Sequence, residues 1–424
     1  MNDSSTPIVG IFADDLTGAL DAAAPFAARG FRTLVSPSHE MPDGASKADV
    51  ISLNLGSRHM APAEIAVRTV KAVNALKQFG VTVLMNKVDS TLRGNPGVEL
   101  VAALNAIEGD HAVLCSAYPQ NGRTVVDGIL LVNEIPVADT DVGQDQLSPL
   151  PSSNVSEIII SSLERSGIAD KAHVRSTDGG AGVSDFRSVI ITPDASSEGD
   201  LFSLASRLLK ARAVALVAGS AGLSTAIADA LVVDRAVQKR SPNQFVLNGR
   251  KILIVTASQR QIVDAQINAL GGNVDLIQTE LSVDEVLKGI TNDSVSRLIE
   301  VTQRDGVVVL KLGKLKLSDG VSVDEIRLMA ETIVCNLGDA VRKVTDVSKP
   351  DTLVIIGGDT SSGIFDACDV TAIELTGELQ PGTVSGTIVG GSISGTLVVS
   401  RAGGFGDENS LFELVTLLEF GHNV

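Results

Sequence analysis

The sequence predicts an α/β protein with two domains, each built on a mainly parallel sheet flanked by helices. Short apolar stretches alternate with segments of helical length, a pattern typical of βαβ units. The pattern breaks near residue 245 and then starts again. The chain of 424 residues is also longer than most single domains. We therefore expect an N-terminal domain over residues 1–245 and a C-terminal domain over residues 246–424.

The amino-acid composition agrees with this fold class. Hydrophobic residues make up 44% of the chain, whereas aromatic residues make up only 3%, with one Tyr and no Trp. A core of Ala, Val, Ile and Leu suits helices that pack closely on a buried parallel sheet. The net charge of −17 and the scarcity of aromatic rings argue against a nucleic-acid-binding protein. An acidic protein can still bind a small anion through local cations.

The cysteines and the N-terminal segment indicate a cytoplasmic protein. Cys115, Cys335 and Cys368 are far apart in the sequence and form no CxxC pair, so they predict neither a disulfide framework nor a zinc site. Residues 1–7 have no basic segment followed by an apolar one, and no apolar run is long enough to span a bilayer.

The elements of the N-terminal domain follow from local signals. Gly30 ends the first predicted helix, and Pro62 suits the first position of the second, where its missing N–H is not needed. Strands are predicted at 8–12, 31–35, 50–55, 81–85, 112–115, 188–192 and 214–218, and helices at 17–28, 62–79, 200–210 and 223–231. Residues 135–155 are rich in Pro, Asp and Ser, so we expect a long loop or an excursion from the main sheet.

The C-terminal domain repeats the alternation after a predicted linker at residues 237–251. Strands are predicted at 252–255, 306–310, 352–356, 387–389 and 396–399, and helices at 259–270, 323–344, 361–368 and 409–418. We find no internal repeat and no low-complexity segment in the sequence.

The segment from Lys87 to Asn95 is the most informative motif, because it follows directly on a predicted buried strand. Ligands of open α/β sheets bind outside the carboxyl ends of the strands. Two cations, one carboxylate and two hydroxyls are suited to a small, anionic, hydroxyl-rich molecule; they belong to Lys87, Asp89, Ser90, Thr91 and Arg93. The alternative is an ordinary polar loop before a capped helix.

Three further strand ends in this domain carry polar side chains. Asp14 and Asp15 lie where the first strand meets the first helix, so they either cap that helix or accept a proton or hold a metal. Arg58 is a candidate for bidentate capture of a carboxylate, or else a surface residue. Gln120 and Arg123 add amide and guanidinium donors after a fourth strand. We expect these four strand ends to converge on one site.

Glycine-rich turns dominate the C-terminal domain. Gly357, Gly358, Asp359 and Thr360 join a strand to a helix, where backbone N–H groups can bind a phosphate. A second Gly-rich loop contains Gly403 and Gly404, and Ser258 follows the first strand of the domain. The alternative for each is a tight turn with a capped helix. P-loop, GxGxxG, HExxH and GxSxG motifs are absent from the sequence.

A domain suited to a hydroxy acid and a domain suited to phosphates together predict phosphoryl transfer, with the active site in the cleft between the domains. Such chemistry needs positioning and charge neutralisation more than a covalent nucleophile. Closure of the cleft is expected to exclude water, which would otherwise compete as the acceptor.

These segments together resemble the four-carbon acid sugar kinase family, whose members phosphorylate D-threonate, D-erythronate or 3-oxo-tetronates with ATP. The resemblance covers nearly the whole chain. Its motifs are residues 13–19, Ser57-Arg58, 87–94, 118–123, 219–223, 357–360 and 403–406. The chain departs from the family at Thr256–Gln259 (usually Gly-Ser-Cys), at Asp359 (usually Glu) and at Arg401–Gly404 (usually Lys-Ser-Gly-Asn).

The resemblance implies ATP and Mg²⁺ as cofactors, a 4-phosphate product, and a role for each motif, but it leaves the metal ligands and the oligomeric state open. Arg58 and Lys87 are expected to hold the substrate carboxylate, and Asp14 or Asp15 to orient or deprotonate the attacking hydroxyl. Asp89, Ser90 and Thr91 are expected to bind substrate hydroxyls, with Arg93 near the transferred phosphoryl group. The ATP contacts are assigned to Ser258, Gly357, Gly358, Asp359, Thr360, Gly403 and Gly404. A non-catalytic sugar-acid sensor and a transferase or isomerase acting on a phosphorylated substrate are the alternatives.

Overall fold

The computed structural model describes residues 8–144, 149–176, 189–211, 216–235, 250–316 and 320–420. The chain divides into two compact units, residues 1–242 and 243–424, and each is described by itself. The predicted linker at residues 237–251 lies outside the described residues except for its last two positions. Among the described residues, no helix is both long and apolar enough to cross a membrane.

The first unit alternates strands and helices along most of its length. Its strands are β1 (Val9–Ala13), β2 (Thr33–Ser36), β3 (Val50–Asn54), β4 (Val83–Lys87), β5 (His111–Cys115), β6 (Arg123–Val126), β7 (Ile129–Val132), β8 (Ile135–Pro136), β9 (His173–Ser176), β10 (Val189–Thr192) and β11 (Leu216–Gly219). Its helices are α1 (Leu16–Ala28), α2 (Pro62–Gln78), α3 (Pro96–Ile107), α4 (Val155–Arg165), α5 (Glu198–Ala211) and α6 (Ala221–Arg235).

The main sheet of this unit is parallel throughout, with the order β2-β3-β1-β4-β11-β5-β10-β9. Every residue of β1 and β3 is buried, as expected for strands covered by helices on both faces. In register, Ala13 pairs with Asn54 on one side and with Lys87 on the other. The loops that follow β1, β3 and β4 therefore leave the sheet at the same edge.

Small side chains let α1 lie close to the sheet. Ala19, Ala22 and Ala23 of this helix are fully buried, and the hydroxyl of Ser52 on β3 donates to the backbone oxygen of Ala19 at 2.9 Å. The predicted Ala-rich helix is thus confirmed, beginning one residue earlier than expected. Close packing here holds the N-terminus of α1 against the ends of β1 and β4.

The expected interruption of the parallel sheet is an excursion into a second sheet. Strands β6, β7 and β8 form a separate antiparallel sheet of three strands. It already begins at Arg123, before the predicted segment, because Asp127 and Gly128, both with positive φ, form a two-residue turn that pairs β6 with β7. The following segment leads into α4, and residues 145–148 lie outside the described part of the chain.

The second unit contains a mixed sheet. Its strands are β12 (Lys251–Thr256), β13 (Leu276–Leu281), β14 (Gly306–Leu312), β15 (Thr352–Ile356), β16 (Ala372–Gln380), β17 (Thr383–Val389) and β18 (Leu397–Arg401). Its helices are α7 (Gln261–Asn273), α8 (Val283–Lys288), α9 (Asn292–Thr302), α10 (Val323–Val347), α11 (Gly358–Ala367) and α12 (Ser410–Phe420). The strand order is β13-β14-β12-β15-β18-β17-β16, in which β17 runs antiparallel to both of its neighbours.

The hairpin of β16 and β17 corrects the sequence prediction, which placed only a short strand at residues 387–389. Glycines at 377 and 386 and polar residues between them interrupt the apolar pattern that marks the other strands. Register shifts within the β16–β17 pair coincide with this irregular segment. The parallel part of the unit has the expected aliphatic core, in which Ile254, Val309 and Val354 are fully buried.

Candidate functional site

The acidic pair at the end of β1 is joined to the loop after β3 by Arg58. Its guanidinium donates to both oxygens of Asp14, with Nε–Oδ2 at 2.7 Å and Nη2–Oδ1 at 2.9 Å, and Nη1 donates to Asp15 Oδ2 at 2.5 Å. Asp15 also caps α1, because its Oδ1 accepts from the backbone N–H of Gly18 at 2.7 Å. Asp15 therefore caps the helix, as one interpretation predicted, and it is also paired with Arg58.

Burial and charge act against each other in this cluster. Burial raises the pKa of Asp14, and the adjacent Arg58 opposes that shift. Burial alone would lower the pKa of Arg58, but the carboxylates of Asp14 and Asp15 outweigh it and hold the pKa well above its usual range. The guanidinium is therefore neutralised by two protein carboxylates, and a substrate carboxylate would have to compete with them.

Lys87 is the neighbouring cation, at the end of β4. Its residue is only 5% exposed, and its ammonium has no hydrogen bond or ion pair with any residue of the described ranges. A Cβ at Gly18 would lie 3.3 Å from Lys87 Nζ, so the ammonium lies over the first turn of α1. A buried charge without a partner is costly. A bound anion would give this ammonium the direct partner that it lacks among the described residues.

The turn after β4 is organised around Asp89. This carboxylate accepts from the backbone N–H of Thr91 at 3.1 Å, from the Thr91 hydroxyl, and from Arg93 Nη2 at 2.9 Å and Nε at 3.1 Å. Burial opposes ionisation of Asp89, but these donors and Arg58 outweigh it and hold its pKa well below the usual range. Ser90, half-buried, has a hydroxyl with no hydrogen bond to any described residue. Asp89 thus shapes the turn, and Ser90 is the hydroxyl left for a ligand.

Gly94 brings this turn against the acidic pair. Its φ of +86° is in the left-handed region, and a Cβ at this position would lie 3.2 Å from Asp14 Oδ2. Three of the four predicted strand ends, those of β1, β3 and β4, therefore meet at one site. Among the described residues, no hydrogen bond or ion pair connects Gln120 or Arg123 of the fourth strand end to the other three. The backbone N–H of Gln120 donates to Glu198 at 2.8 Å, and the Arg123 guanidinium donates to the backbone oxygen of Asn121.

Two carboxyl groups near this site were missed by the sequence analysis. Asp21 lies on α1, where burial raises its pKa and the nearby Lys87 opposes the shift. Glu99 lies on α3 and is only 2% exposed. A single carboxylate in the otherwise apolar first turns of α3 is a signal that could have identified Glu99.

In the second unit, the ends of β12, β15 and β18 meet in the same way. The backbone N–H of Ala257 donates to Thr360 Oγ1 at 3.4 Å, which joins the turn after β12 to the N-terminus of α11. A Cβ at Gly403 would lie 3.0 Å from Ser258 Oγ. The predicted nucleotide contacts at Ser258, Thr360 and Gly403 are therefore neighbours. Asp359 is exposed on the first turn of α11.

Two arginines flank the Gly403–Gly404 turn. Arg260 was not selected from the sequence, yet a Cβ at Gly404 would lie 2.8 Å from its Nη1, and its guanidinium has no hydrogen bond or ion pair with the described residues. Arg401 is buried and donates from Nη2 to the backbone oxygen of Phe405 at 2.6 Å. The Nε and Nη1 atoms of Arg401 have no partner within the described chain, and burial lowers its pKa. Arg401 thus supports the loop from beneath, whereas Arg260 presents a free cation beside it.

No group of three or more His, Cys, Asp or Glu side chains within the described ranges is arranged to hold a metal ion. A Mg²⁺ ion that enters with a nucleotide keeps most of its ligands as phosphate oxygens and water.

Comparison with known proteins agrees with the two-unit organisation. The family model of a sugar-binding N-terminal domain matches residues 9–227, and that of a nucleotide-binding C-terminal domain matches residues 253–411. The chain is 26% identical to the D-threonate kinase of Salmonella typhimurium, over 96% of this chain and 98% of the relative. It is 28% identical to the D-erythronate kinase of Heliobacterium modesticaldum, over 96% of both chains. It is 27% identical to the 3-oxo-tetronate kinase of Pseudomonas fluorescens, over 94% of both.

Solved structures share the fold. A Salmonella typhimurium protein superposes with a TM-score of 0.73 at 19% identity, covering 96% of this chain and 98% of its own. A Haemophilus influenzae protein superposes with a TM-score of 0.70 at 20% identity, covering 97% of this chain and 100% of its own.

Proposed function

This chain belongs to the four-carbon acid sugar kinase family, and we propose that it transfers the terminal phosphoryl group of ATP to the 4-hydroxyl of a four-carbon sugar acid. It is a phosphotransferase with an alcohol group as the acceptor. The observation that carries the proposal is the buried, unpaired ammonium of Lys87 beside the Asp14–Arg58–Asp15 cluster. A cation for the acid and a carboxylate for the attacking hydroxyl are the groups that the acceptor side of this reaction needs.

The sugar acid is assigned to the first domain. Lys87 binds the substrate carboxylate, because its charge is not already neutralised by a direct partner in the described chain. Ser90 offers its hydroxyl to a substrate hydroxyl, with Thr91 beside it, while Asp89 and Arg93 hold the shape of the turn. Arg58 holds the carboxylates of Asp14 and Asp15 in place. It can contact the substrate carboxylate only if one of these two ion pairs breaks. Gln120 and Arg123 remain proposed contacts of the substrate.

The acceptor hydroxyl is assigned to Asp14 or Asp15. The carboxylate orients the hydroxyl and takes its proton as the oxygen–phosphorus bond forms and the bond to the leaving ADP oxygen breaks. Burial raises the pKa of Asp14, which is the direction that makes a carboxylate a better proton acceptor. Asp15 is held more rigidly, because it also caps α1.

The nucleotide is assigned to the second domain. The backbone N–H groups at the start of α11, after Gly357, provide an anion-binding helix terminus. Ser258 and the turn at Gly403 and Gly404 complete this side, and Arg260 supplies the charge that phosphates need. Mg²⁺, when bound with ATP, neutralises charge on the phosphates.

The experiment that tests the function is ADP release from Mg-ATP with a panel of D- and L-threonate, D- and L-erythronate and 3-oxo-tetronates. Turnover with one of these acids is the expected result, and it would identify the stereoisomer. A 4-phosphate product, identified by NMR, is expected in the same reaction. Absence of turnover with every acid, while ATP still stabilises the protein, would contradict the tetronate assignment. Absence of ATP binding would contradict the assigned donor.

A further inference from the structure

Glu99 is a buried carboxyl that the proposed reaction does not use. Ser57 Oγ donates to Glu99 Oε1 at 2.8 Å, and Asn86 Nδ2 donates to Oε2 at 3.1 Å. Ser57 and Asn86 are both fully buried. Each of them precedes a site cation in the sequence, namely Arg58 and Lys87. Glu99 therefore connects the loop after β3 to the end of β4 from beneath the site.

The surroundings of Glu99 favour a neutral carboxyl. Among the described residues, no cation forms a hydrogen bond or an ion pair with it. The charged groups that influence it are Asp14, at the end of β1, and Arg58, in the loop after β3. Burial, reinforced by the Asp14 carboxylate, raises the pKa of Glu99 to about 8, against the opposing hydrogen bonds from Ser57 and Asn86.

A second observation is that both contacts of Glu99 are compatible with a neutral carboxyl. A hydroxyl oxygen accepts as well as donates, so the O–H of a protonated Glu99 can donate to Ser57 Oγ across the same 2.8 Å contact. The Asn86 amide still donates from Nδ2 to the other carboxyl oxygen at 3.1 Å. A protonated Glu99 therefore keeps the connection between the two loops.

We propose that Glu99 is a positioning residue that must carry a proton for the sugar acid to bind well. This inference rests on the proposed function. The protonated side chain joins the two loops without adding charge. Ionisation adds a negative charge beneath a site that already contains Asp14 and Asp15, and it weakens the attraction that Lys87 exerts on an anion. Binding of the acid and retention of the proton on Glu99 are therefore linked.

The variant Glu99→Gln tests this directly, because an amide keeps the shape and both contacts but cannot ionise. We expect wild-type kcat/KM for the sugar acid to fall about tenfold between pH 7 and pH 9, mainly through KM, as the neutral fraction of a group with a pKa of about 8 decreases. In Glu99→Gln, kcat/KM for the sugar acid is expected to change less than about twofold between pH 7 and pH 9. An equal alkaline fall in both proteins would overturn the proposal.

A second measurement does not depend on activity. The urea midpoints of wild type and Glu99→Gln are compared between pH 5 and pH 9. The folded protein holds a proton that the unfolded chain releases, so wild type is expected to lose stability relative to the variant as the pH rises toward about 8. Parallel midpoints would show that Glu99 is ionised throughout, which contradicts the proposal even for an active kinase. Divergent midpoints without ADP release would instead count against the proposed function.

Discussion

Lys87 is the residue whose substitution separates acid binding from folding. In Lys87→Met, we expect the KM for the sugar acid to rise by about tenfold or more, because a charge-assisted hydrogen bond is lost. The KM for ATP should stay within about twofold. The free energy of unfolding is expected to change little, because relief from burying the ammonium is offset by the loss of its attraction to Asp14 and Asp21. Steady-state kinetics and urea unfolding check both points.

The control for this variant is Lys77→Met, which removes an exposed lysine from α2. It should leave both KM values unchanged. A Lys87→Met enzyme with a normal KM for the acid would remove Lys87 from the binding site.

Glycine is required at position 18 because neighbouring side chains lie too close for a Cβ, and not because of its backbone conformation. A Cβ at this position would lie 2.7 Å from Asp15 Oδ1 and 3.3 Å from Lys87 Nζ. In Gly18→Ala, we expect the Asp15 side chain to be displaced from the N-terminus of α1 and the KM for the sugar acid to rise. The free energy of unfolding is expected to fall by about 1 kcal/mol. Activity assays and urea unfolding measure these effects.

Gly272→Ala is the matched control, because a Cβ there meets nothing within 4 Å and the residue also lies on a helix. That variant should be neutral or slightly stabilising. If the two alanine variants show the same activity and the same free energy of unfolding, the close approach of Gly18 to Asp15 and Lys87 does not matter for function.

At the scale of an element, the turn after β4 depends on Asp89. Asp89→Asn is expected to cost about 1–3 kcal/mol at pH 7, because it weakens the charged hydrogen bonds to Thr91 and Arg93. The pKa of Asp89 is held below its ordinary value of 3.8, so this contribution is present above about pH 4. It is lost as the pH falls further toward the folded-state pKa.

Urea unfolding of wild type and Asp89→Asn at pH 6 and pH 3 measures this difference. The gap between the two proteins should shrink at the lower pH. A gap that stays constant would show that the charge on Asp89 contributes nothing to the turn.

The hairpin of β16 and β17 shows where local pattern fails for an element. A buried parallel strand such as β15 consists of a continuous run of apolar residues. The sequence therefore predicted it correctly at residues 352–356. The hairpin alternates apolar and polar residues and contains Gly377 and Gly386, so its pairing depends on its partner strands. Helix α3 follows directly on the Lys87 motif, and the sequence analysis included a helix there only in the alternative interpretation of that motif.

At the scale of the whole molecule, the two assigned ligands should stabilise the protein through different residues. A ligand at one hundred times its Kd adds about 2.7 kcal/mol to the free energy of unfolding. Lys87→Met should lose the thermal shift produced by the sugar acid and keep that produced by Mg-ATP. Arg260→Gln should show the reverse, with Arg304→Gln as a surface control from the same unit.

Thermal unfolding with each ligand alone makes this comparison. Loss of both shifts in either variant would mean that the assignment of one ligand to each domain is wrong. If Arg260→Gln keeps the thermal shift produced by Mg-ATP, Arg260 does not bind the phosphates, and other groups must neutralise their charge.

Most of the architecture and the site segments could be predicted from the chain alone. Runs of apolar residues locate strands such as β1 and β12, because each run must be buried on both faces wherever it lies in the sheet. Polar residues that follow such strands, including Asp14, Lys87 and Ser258, can be identified as site candidates for the same local reason. These inferences need only the sequence neighbours of each residue.

The pairing of those candidates required the tertiary structure. Arg58 binds Asp14 across 44 positions of sequence, and Glu99 connects Ser57 to Asn86, because strands β3, β1 and β4 are adjacent in the sheet. That order decides which charges neutralise one another, and so it leaves Lys87 rather than Arg58 free for an anion. Electrostatic and hydrogen-bond energies depend on distance and burial in space, which sequence separation does not encode.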